Sequence, residues 1–143
     1  MAGDFIIIDA GPIVALLSKR DQYHAWAIDV VKEVEGPYLT SEAVLSEAFH
    51  LVEDLPAAKE SLLVLLDRRE ISVFSGCDEI EDIAKLMRRY SDQPMSLADA
   101  TLVRFAELHD NVRVFTADRH FRIYRRNRRQ LIPLIAPWTD DAK

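Results

Sequence analysis

Short runs rich in β-branched and aromatic residues alternate with longer stretches of helical periodicity along the whole chain, and this alternation narrows the fold more than any other feature. The β-rich runs lie at residues 5–8, 38–40, 71–74, 113–116 and 131–135. Between them, apolar residues recur at helical spacing over residues 12–17, 24–34, 41–53, 57–68, 78–90 and 96–109, and a short helix is expected after Asp118. Strands joined by helices run parallel, and right-handed crossovers then lay helices on both faces of the sheet. The pattern predicts an α/β fold, a three-layer α/β/α sandwich around a mainly parallel five-stranded sheet. Gly36-Pro37, Pro56, Gly76 and Pro94 fall between the predicted elements, where the chain must turn.

Composition is that of an ordinary globular protein: 143 residues, 49% hydrophobic and 29% charged, enough for one domain over residues 1–143 with a single core. The lone cysteine, Cys77, has no partner for a disulfide or a Cys-rich zinc site, and no apolar run nears the ~20 residues of a membrane helix. Met-Ala-Gly-Asp at the start lacks the basic region of a secretory signal, so a cytoplasmic protein without membrane contact is expected. The net charge of −6 is unevenly spread: residues 1–118 hold 11 Lys and Arg against 22 Asp and Glu, whereas residues 119–139 hold six arginines and no acid. Arg119, Arg122, Arg125, Arg126, Arg128 and Arg129 therefore form a basic segment suited to phosphates, the plainer reading being a solvated helix face.

Four carboxylates occupy positions that the apolar pattern marks as buried or nearly so. Asp9 ends the run Phe5-Ile6-Ile7-Ile8 and Asp118 closely follows Val114-Phe115-Thr116, so both lie just past strand ends, where α/β proteins bind ligands. Glu47 shares a helical stripe with Val44, Ala48 and Leu51, and Asp99 shares one with Leu102, Val103 and Ala106. Taking an ionised carboxylate out of water is costly unless it is paired or binds a cation. Each acid has a local alternative: Asp9 and Asp118 can cap the helices that follow, Ser96-Leu97-Ala98-Asp99 fits a capping box, and Glu47 can join a buried ion pair. One divalent cation accounts for all four together. Glu47 is decisive, because no capping role competes for it, and its exposure or pairing with an arginine would remove the strongest support.

An acid-only donor set suits Mg²⁺ or Mn²⁺. His24, His50, His109 and His120 are scattered without zinc-ligand spacing, and with only Gly3, Gly11, Gly36 and Gly76 there is no glycine-rich nucleotide loop. Acids of this kind beside an arginine-rich segment point to phosphoryl or phosphodiester chemistry.

Taken in order, Ile7-Ile8-Asp9-Ala10-Gly11-Pro12, Val44-Leu45-Ser46-Glu47-Ala48, Leu97-Ala98-Asp99-Ala100 and Phe115-Thr116-Ala117-Asp118-Arg119-His120-Phe121 resemble the motifs of PIN-domain ribonucleases, the family that includes VapC-type toxins of toxin-antitoxin pairs. The resemblance covers nearly the whole chain. It implies a PIN-like parallel sheet with the acids gathered at the carboxyl ends of its strands. It also implies Mg²⁺- or Mn²⁺-dependent endoribonuclease activity on RNA, often as a homodimer, and a cognate antitoxin protein for members that are toxins. Carried onto this sequence, Asp9 and Asp99 are the principal metal ligands, Glu47 and Asp118 complete the pocket directly or through water, and Thr116 is an accessory hydroxyl. Many members carry Ser or Thr two residues after the first Asp; Gly11 here puts that secondary contact in doubt.

Rival chemistries on similar folds lack their residues. A receiver-type phospho-acceptor needs an acidic pair after the first strand and an Asp after the third, yet Asp9 has no acidic neighbour and Phe74 precedes Ser75-Gly76. A haloacid-dehalogenase-type phosphatase needs a second Asp at position 11. The remaining alternative is a non-catalytic RNA-binding or partner-binding domain on the same fold. A toxin role and an RNA-processing role are equally compatible with these motifs.

Overall fold

In the computed structural model, which describes residues 5–138, Phe5–Ile8 forms the central strand β1 of a five-stranded parallel sheet. Successive side chains of a strand point to opposite faces. Ile6, Ile7 and Ile8 are all at most 1% exposed, so both faces of β1 are covered and the run is apolar throughout instead of alternating. From β1 the chain passes through α1 (Ala10–Leu17) and α2 (His24–Glu33) to β2 (Tyr38–Ser41), then through α3 (Glu42–Leu51) and α4 (Pro56–Asp67) to β3 (Ile71–Phe74). A 3-10 turn at Cys77–Glu79, α5 (Ile80–Arg89) and α6 (Leu97–Leu108) lead back to β4 (Val112–Phe115), on the opposite side of β1 from β2.

A second 3-10 turn (Arg119–Arg122) follows, then an antiparallel hairpin of β5 (Arg125–Arg126) and β6 (Gln130–Leu131), and finally β7 (Leu134–Ile135), which pairs with β4. The sheet order is β3-β2-β1-β4-β7, the three-layer α/β architecture expected from the alternation. Winding runs from β1 toward β3 and then reverses toward β7, so the switch in direction falls between β1 and β4. Crevices for ligands open at the carboxyl ends of strands at such a switch. The register pairs Ile8 with Phe115, which brings the ends of these two strands level.

Helix starts follow local chemistry. The Asp9 carboxylate accepts a hydrogen bond from Ala10 N at 2.8 Å ahead of α1, and Ser41 Oγ accepts one from Val44 N at 3.1 Å ahead of α3. Pro56 opens α4, where its missing N–H is no loss, and Ser96 with Asp99 closes a reciprocal capping box on α6. α6 runs through the interior: Ala98, Asp99, Ala100, Thr101, Leu102, Val103 and Ala106 are all buried. Its small residues let α3, α5 and strands β2 and β4 pack closely on it. Among the described residues no helix is long and apolar enough to cross a membrane.

Two details differ from the sequence expectation. Residues 131–135 do not form one strand; Leu131 belongs to β6 and Leu134–Ile135 to β7, with Ile132-Pro133 carrying the chain between the two sheets. The short helix expected after Asp118 is a single 3-10 turn, and the arginine-rich residues beyond it form the β5–β6 hairpin. That hairpin turns through Asn127 and Arg128 at φ of 50° and 72°, the left-handed region that Asn tolerates and Arg seldom adopts.

The junction of β2, α3 and α6 rests on Ser41, whose Oγ caps α3 and is hydrogen-bonded to the buried Thr101 Oγ1 at 2.8 Å. Ser41→Ala is expected to lower the unfolding free energy by about 1–3 kcal/mol. Urea titration checks this, and a loss within error of zero contradicts the role assigned to the junction.

Candidate active site

Asp9 directly follows β1 and Thr116 directly follows β4, so the two meet where the strands part. Asp9 N donates to Phe115 O at 2.9 Å, continuing the ladder, while Thr116 Oγ1 donates to Asp9 Oδ2 at 2.8 Å. With Ala10 N on Oδ1, both oxygens of this carboxylate are held, and the residue is 7% exposed. Asp99 reaches the same place from the first turn of α6, with Oδ2 accepting from Ser96 N at 3.1 Å, and it too is 7% exposed. The two face a cleft of about 350 Å³ that Glu47 and Asp118 also line, with Gly11, Asp21 and Tyr23 on its rim. All four acids singled out in the sequence therefore share one cavity.

Burial and mutual repulsion disturb their charge. Burial pushes the Asp9 carboxyl up to about 7; the Thr116 hydroxyl and Ala10 N–H pull it down, and the charges of Asp99 and Glu47 add to the rise. Asp99 rises to about 6, again chiefly through burial, with the Ser96 N–H opposing and the charges of Asp118 and Glu47 contributing. No salt bridge among the described residues involves Asp9 or Asp99. Two carboxyl groups out of water, near other acids and without a cationic partner, are chemically suited to a bound cation.

Glu47 departs from expectation, because it is exposed. On α3 the buried stripe consists of Val44 and Ala48, and its other edge, Glu47 together with Leu51 at 51% exposure, borders the open cleft instead of the core. Glu47 thus does not need a ligand to be tolerated, and the energetic case moves to Asp9 and Asp99. Asp118 is also only partly buried. It caps the 3-10 turn, with Oδ1 accepting from His120 N at 2.9 Å and lying 2.8 Å from His120 Nδ1. Its own N–H donates to Thr116 Oγ1 at 3.0 Å, so one hydroxyl ties Asp118 to Asp9.

The donor set fits a hard cation in kind, since every candidate ligand is a carboxylate oxygen. Among the described residues, however, no three Asp, Glu, His or Cys side chains come together closely enough to enclose an ion. The two facts are compatible: Mg²⁺ is commonly held by one or two carboxylates and completes its shell with water and phosphate oxygens. Asp9 and Asp99 could supply that pair. A Cβ at Gly11 would meet nothing within 4 Å, so space does not dictate the glycine found there.

The arginines divide into two groups. Arg119 and Arg122 stand over the Trp138 ring, 5.2 and 5.8 Å from its centroid, and Trp138 Nε1 donates to Ala117 O at 2.9 Å beside Asp118. Arg128 and Arg129 are exposed on the hairpin turn. Arg125 and Arg126, grouped in the sequence with the phosphate-contacting candidates, are turned onto the protein instead. Arg125 Nη1 donates to the carbonyls of Arg122, Ile123 and Tyr124, and Arg126 Nη1 to those of Ala106, His109 and Asp110 at the end of α6. Carbonyls left over at a helix C-terminus attract such a cation, so Arg126 is a structural residue.

A family model for the PIN domain matches residues 6–127, which takes in all four acids. The chain belongs to the PIN domain family. Ribonuclease VapC26 of Mycobacterium tuberculosis is 28% identical over 123 residues, an alignment covering 81% of this chain and 89% of the relative. The crystal structure of Mycobacterium tuberculosis VapC20, a Sarcin-Ricin loop cleaving toxin, superposes with a TM-score of 0.70 at 20% identity, over 79% of this chain and 89% of that one. That likeness concerns the fold.

Sequence reasoning missed Tyr124, a fully buried tyrosine whose ionisation burial suppresses most and the charges of Asp99, Asp118 and Asp9 suppress further. Its spacing from Phe121 reads as core, and only the position shortly after Asp118 hints at the cleft.

The raised carboxyls set a pH dependence. Folded Asp9 and Asp99 bind protons more tightly than in the unfolded chain, so without divalent cation the folded state should lose stability as pH rises from about 4 to about 7 and level off above. Asp9→Asn keeps an acceptor for Ala10 N and removes the buried charge. It is expected to raise the melting temperature at pH 7.5 by about 3–8 °C and to flatten the slope. Thermal unfolding across this range decides the matter; a variant less stable than the parent at pH 7.5 means the charge is favourably held.

Proposed function

We propose that the protein is a Mg²⁺- or Mn²⁺-dependent endoribonuclease that cleaves RNA phosphodiester bonds at the acidic cleft. The observation that carries this reading is the burial of Asp9 and Asp99 at the β1–β4 switch, both carboxyls raised and neither in a salt bridge among the described residues. Membership of the PIN domain family and similarity to a relative named as a ribonuclease support RNA as the polymer.

In this reading Asp9 and Asp99 hold the cation, and Glu47 and Asp118 reach it directly or through water. When bound, the cation supplies Lewis-acid activation of water and offsets charge developing on the phosphate oxygens. Thr116 keeps Asp9 oriented, since its hydroxyl is spent on that carboxylate. Glu47, on the open side of the cleft, is the acid best suited to accept the proton of the attacking water. Arg119, Arg122, Arg128 and Arg129 are the proposed phosphate contacts; Arg125 and Arg126 serve the fold. The reading extends to a single domain over residues 1–143, working in the cytoplasm as a homodimer and restrained by a cognate antitoxin protein. Support for the toxin role is similarity to the VapC-type relative VapC26, together with a fold shared with the toxin VapC20.

Labelled single-stranded RNA incubated with the protein should be cleaved with Mg²⁺ or Mn²⁺ and left intact after chelation. Asp9→Asn and Asp99→Asn should each slow cleavage by about 100-fold or more, the equivalent of several kcal/mol of lost transition-state stabilisation. RNA binding with no metal-dependent cleavage in the parent protein overturns the proposal in favour of a non-catalytic RNA-binding domain.

A further inference from the structure

Two large apolar side chains that stand well out in solvent, Leu131 at 66% and Ile123 at 46% exposure, line one cavity of about 680 Å³ together with Arg119, Arg122 and Arg125. No acidic side chain lines it among the described residues. Its volume falls within the roughly 300–1,000 Å³ usual for small-ligand sites. Apolar residues scattered singly over a surface need no explanation, but gathered with guanidiniums around one cavity they suit a ligand that has both an apolar face and a negative charge. Trp138 closes the cavity from behind. Its ring is only 8% exposed under Arg119 and Arg122, so a ligand there meets the guanidiniums more than the indole. Arg125 spends Nη1 on the carbonyls of Arg122, Ile123 and Tyr124 and forms a fixed wall. Asp118 lines the acidic cleft and Arg119, the next residue, lines the cavity, so the two adjoin at a single backbone step.

We propose that this cavity is a subsite for one unpaired nucleotide of RNA flanking the scissile phosphate, its base against Leu131 and Ile123 and its phosphate toward Arg119 and Arg122. The proposal rests on the nuclease reading, specifically on RNA as its polymer, and adds to it two apolar residues that touch neither metal nor scissile bond. Unpaired bases can be splayed out and laid on protein surfaces, whereas bases inside a duplex keep their faces covered by their neighbours. The cavity therefore selects single-stranded RNA beside the cleavage point. A contact made to phosphate alone has no use for Leu131 and Ile123. A protein partner would also cover them, but the surrounding guanidiniums and the continuity with the acidic cleft favour the polyanion. Both residues come from the part of the chain just after Asp118: Ile123 ends the 3-10 turn, and Leu131 belongs to β6 of the hairpin.

Two labelled probes test this by fluorescence anisotropy in the presence of a chelator, so that no cleavage intrudes: a short oligouridylate and an abasic ribose-phosphate chain of the same length. The full-length parent should bind the base-bearing RNA roughly ten-fold more tightly than the abasic chain. Leu131→Ser combined with Ile123→Ser should cut that advantage to less than about three-fold and leave the abasic chain's affinity unchanged. Both positions are exposed, so the melting temperature should stay within about 2 °C of the parent's. Leu63→Ser on α4, 40% exposed and not lining this cavity, is the control and should keep the full advantage. Equal binding of the two probes by the parent overturns the subsite and favours a protein partner for the apolar wall. An advantage retained by the double variant, or lost equally in Leu63→Ser, overturns it as well, and so does a parent that binds neither probe. Cleavage of the oligouridylate with Mn²⁺ is scored in a separate reaction. Its absence beside an intact, Leu131- and Ile123-dependent base advantage defeats the nuclease reading and leaves the nucleotide subsite standing on a non-catalytic RNA-binding domain.

Discussion

A carboxylate buried at the end of the central strand is the constraint on which the rest of the molecule depends. Asp9 sits where β1 and β4 stop pairing, and three elements converge on it: its own N–H bonds to Phe115 O, Ala10 N of α1 holds one oxygen, and Thr116 holds the other. Reversal of winding at this point opens the crevice that the acids line. Asp99 is brought to the same crevice by α6, which passes through the interior because alanines on its buried sides let neighbouring elements approach. Two rigid elements, a sheet and an enclosed helix, thus set the separation of two like charges. Loops could not hold an unfavourable pair in place with the same precision.

Charge is distributed to match. The acids belong to the body of the fold, whereas the arginines come late and surround the exit of the chain from β4. Trp138 joins the two regions: its indole N–H is anchored on Ala117 O, one residue from Asp118, and its ring lies beneath Arg119 and Arg122. A cavity of about 680 Å³ lined by Arg119, Arg122, Arg125 and Trp138, among others, borders that junction. A polyanion drawn to the basic side would meet the acidic cleft immediately, and a cation in that cleft would reverse the local sign of the field. Without it, the cleft would repel such a polyanion.

Much of the architecture was legible because the governing patterns are local. The unbroken apolar run Phe5–Ile8 shows that both faces of β1 are covered, and Ser96 three residues before Asp99 announces the start of α6. The β5–β6 hairpin was not legible, since Arg125-Arg126 and Gln130-Leu131 carry no apolar alternation and the turn depends on left-handed Asn127 and Arg128. Glu47 was misplaced for a different reason. Helical spacing tells which residues share a stripe but not how wide the buried part is, and on α3 it stops at Val44 and Ala48. Arg126 and Arg129 look alike in sequence, and only the position of the α6 C-terminus separates a helix-capping cation from an exposed one. Tyr124 was unreadable because an aromatic residue three places after another resembles ordinary core.

Capping and ligand binding looked like competing explanations for these acids, and the structure reconciles them. Asp9, Asp99 and Asp118 all cap the turn or helix that follows or contains them. For Asp99 and Asp118 the contacts described involve one oxygen: Ser96 N engages Oδ2 of the first, and His120 engages Oδ1 of the second. The other oxygen is outside those contacts. Helix N-termini also carry partial positive charge. The starts of α1 and α6 therefore offset some of the cost of burying Asp9 and Asp99 before any cation arrives. That offset is incomplete, as the raised carboxyls indicate, and the remainder is what a divalent ion could relieve. The caps hold the acids in position, and the proposed cation would relieve what burial and mutual repulsion still cost them.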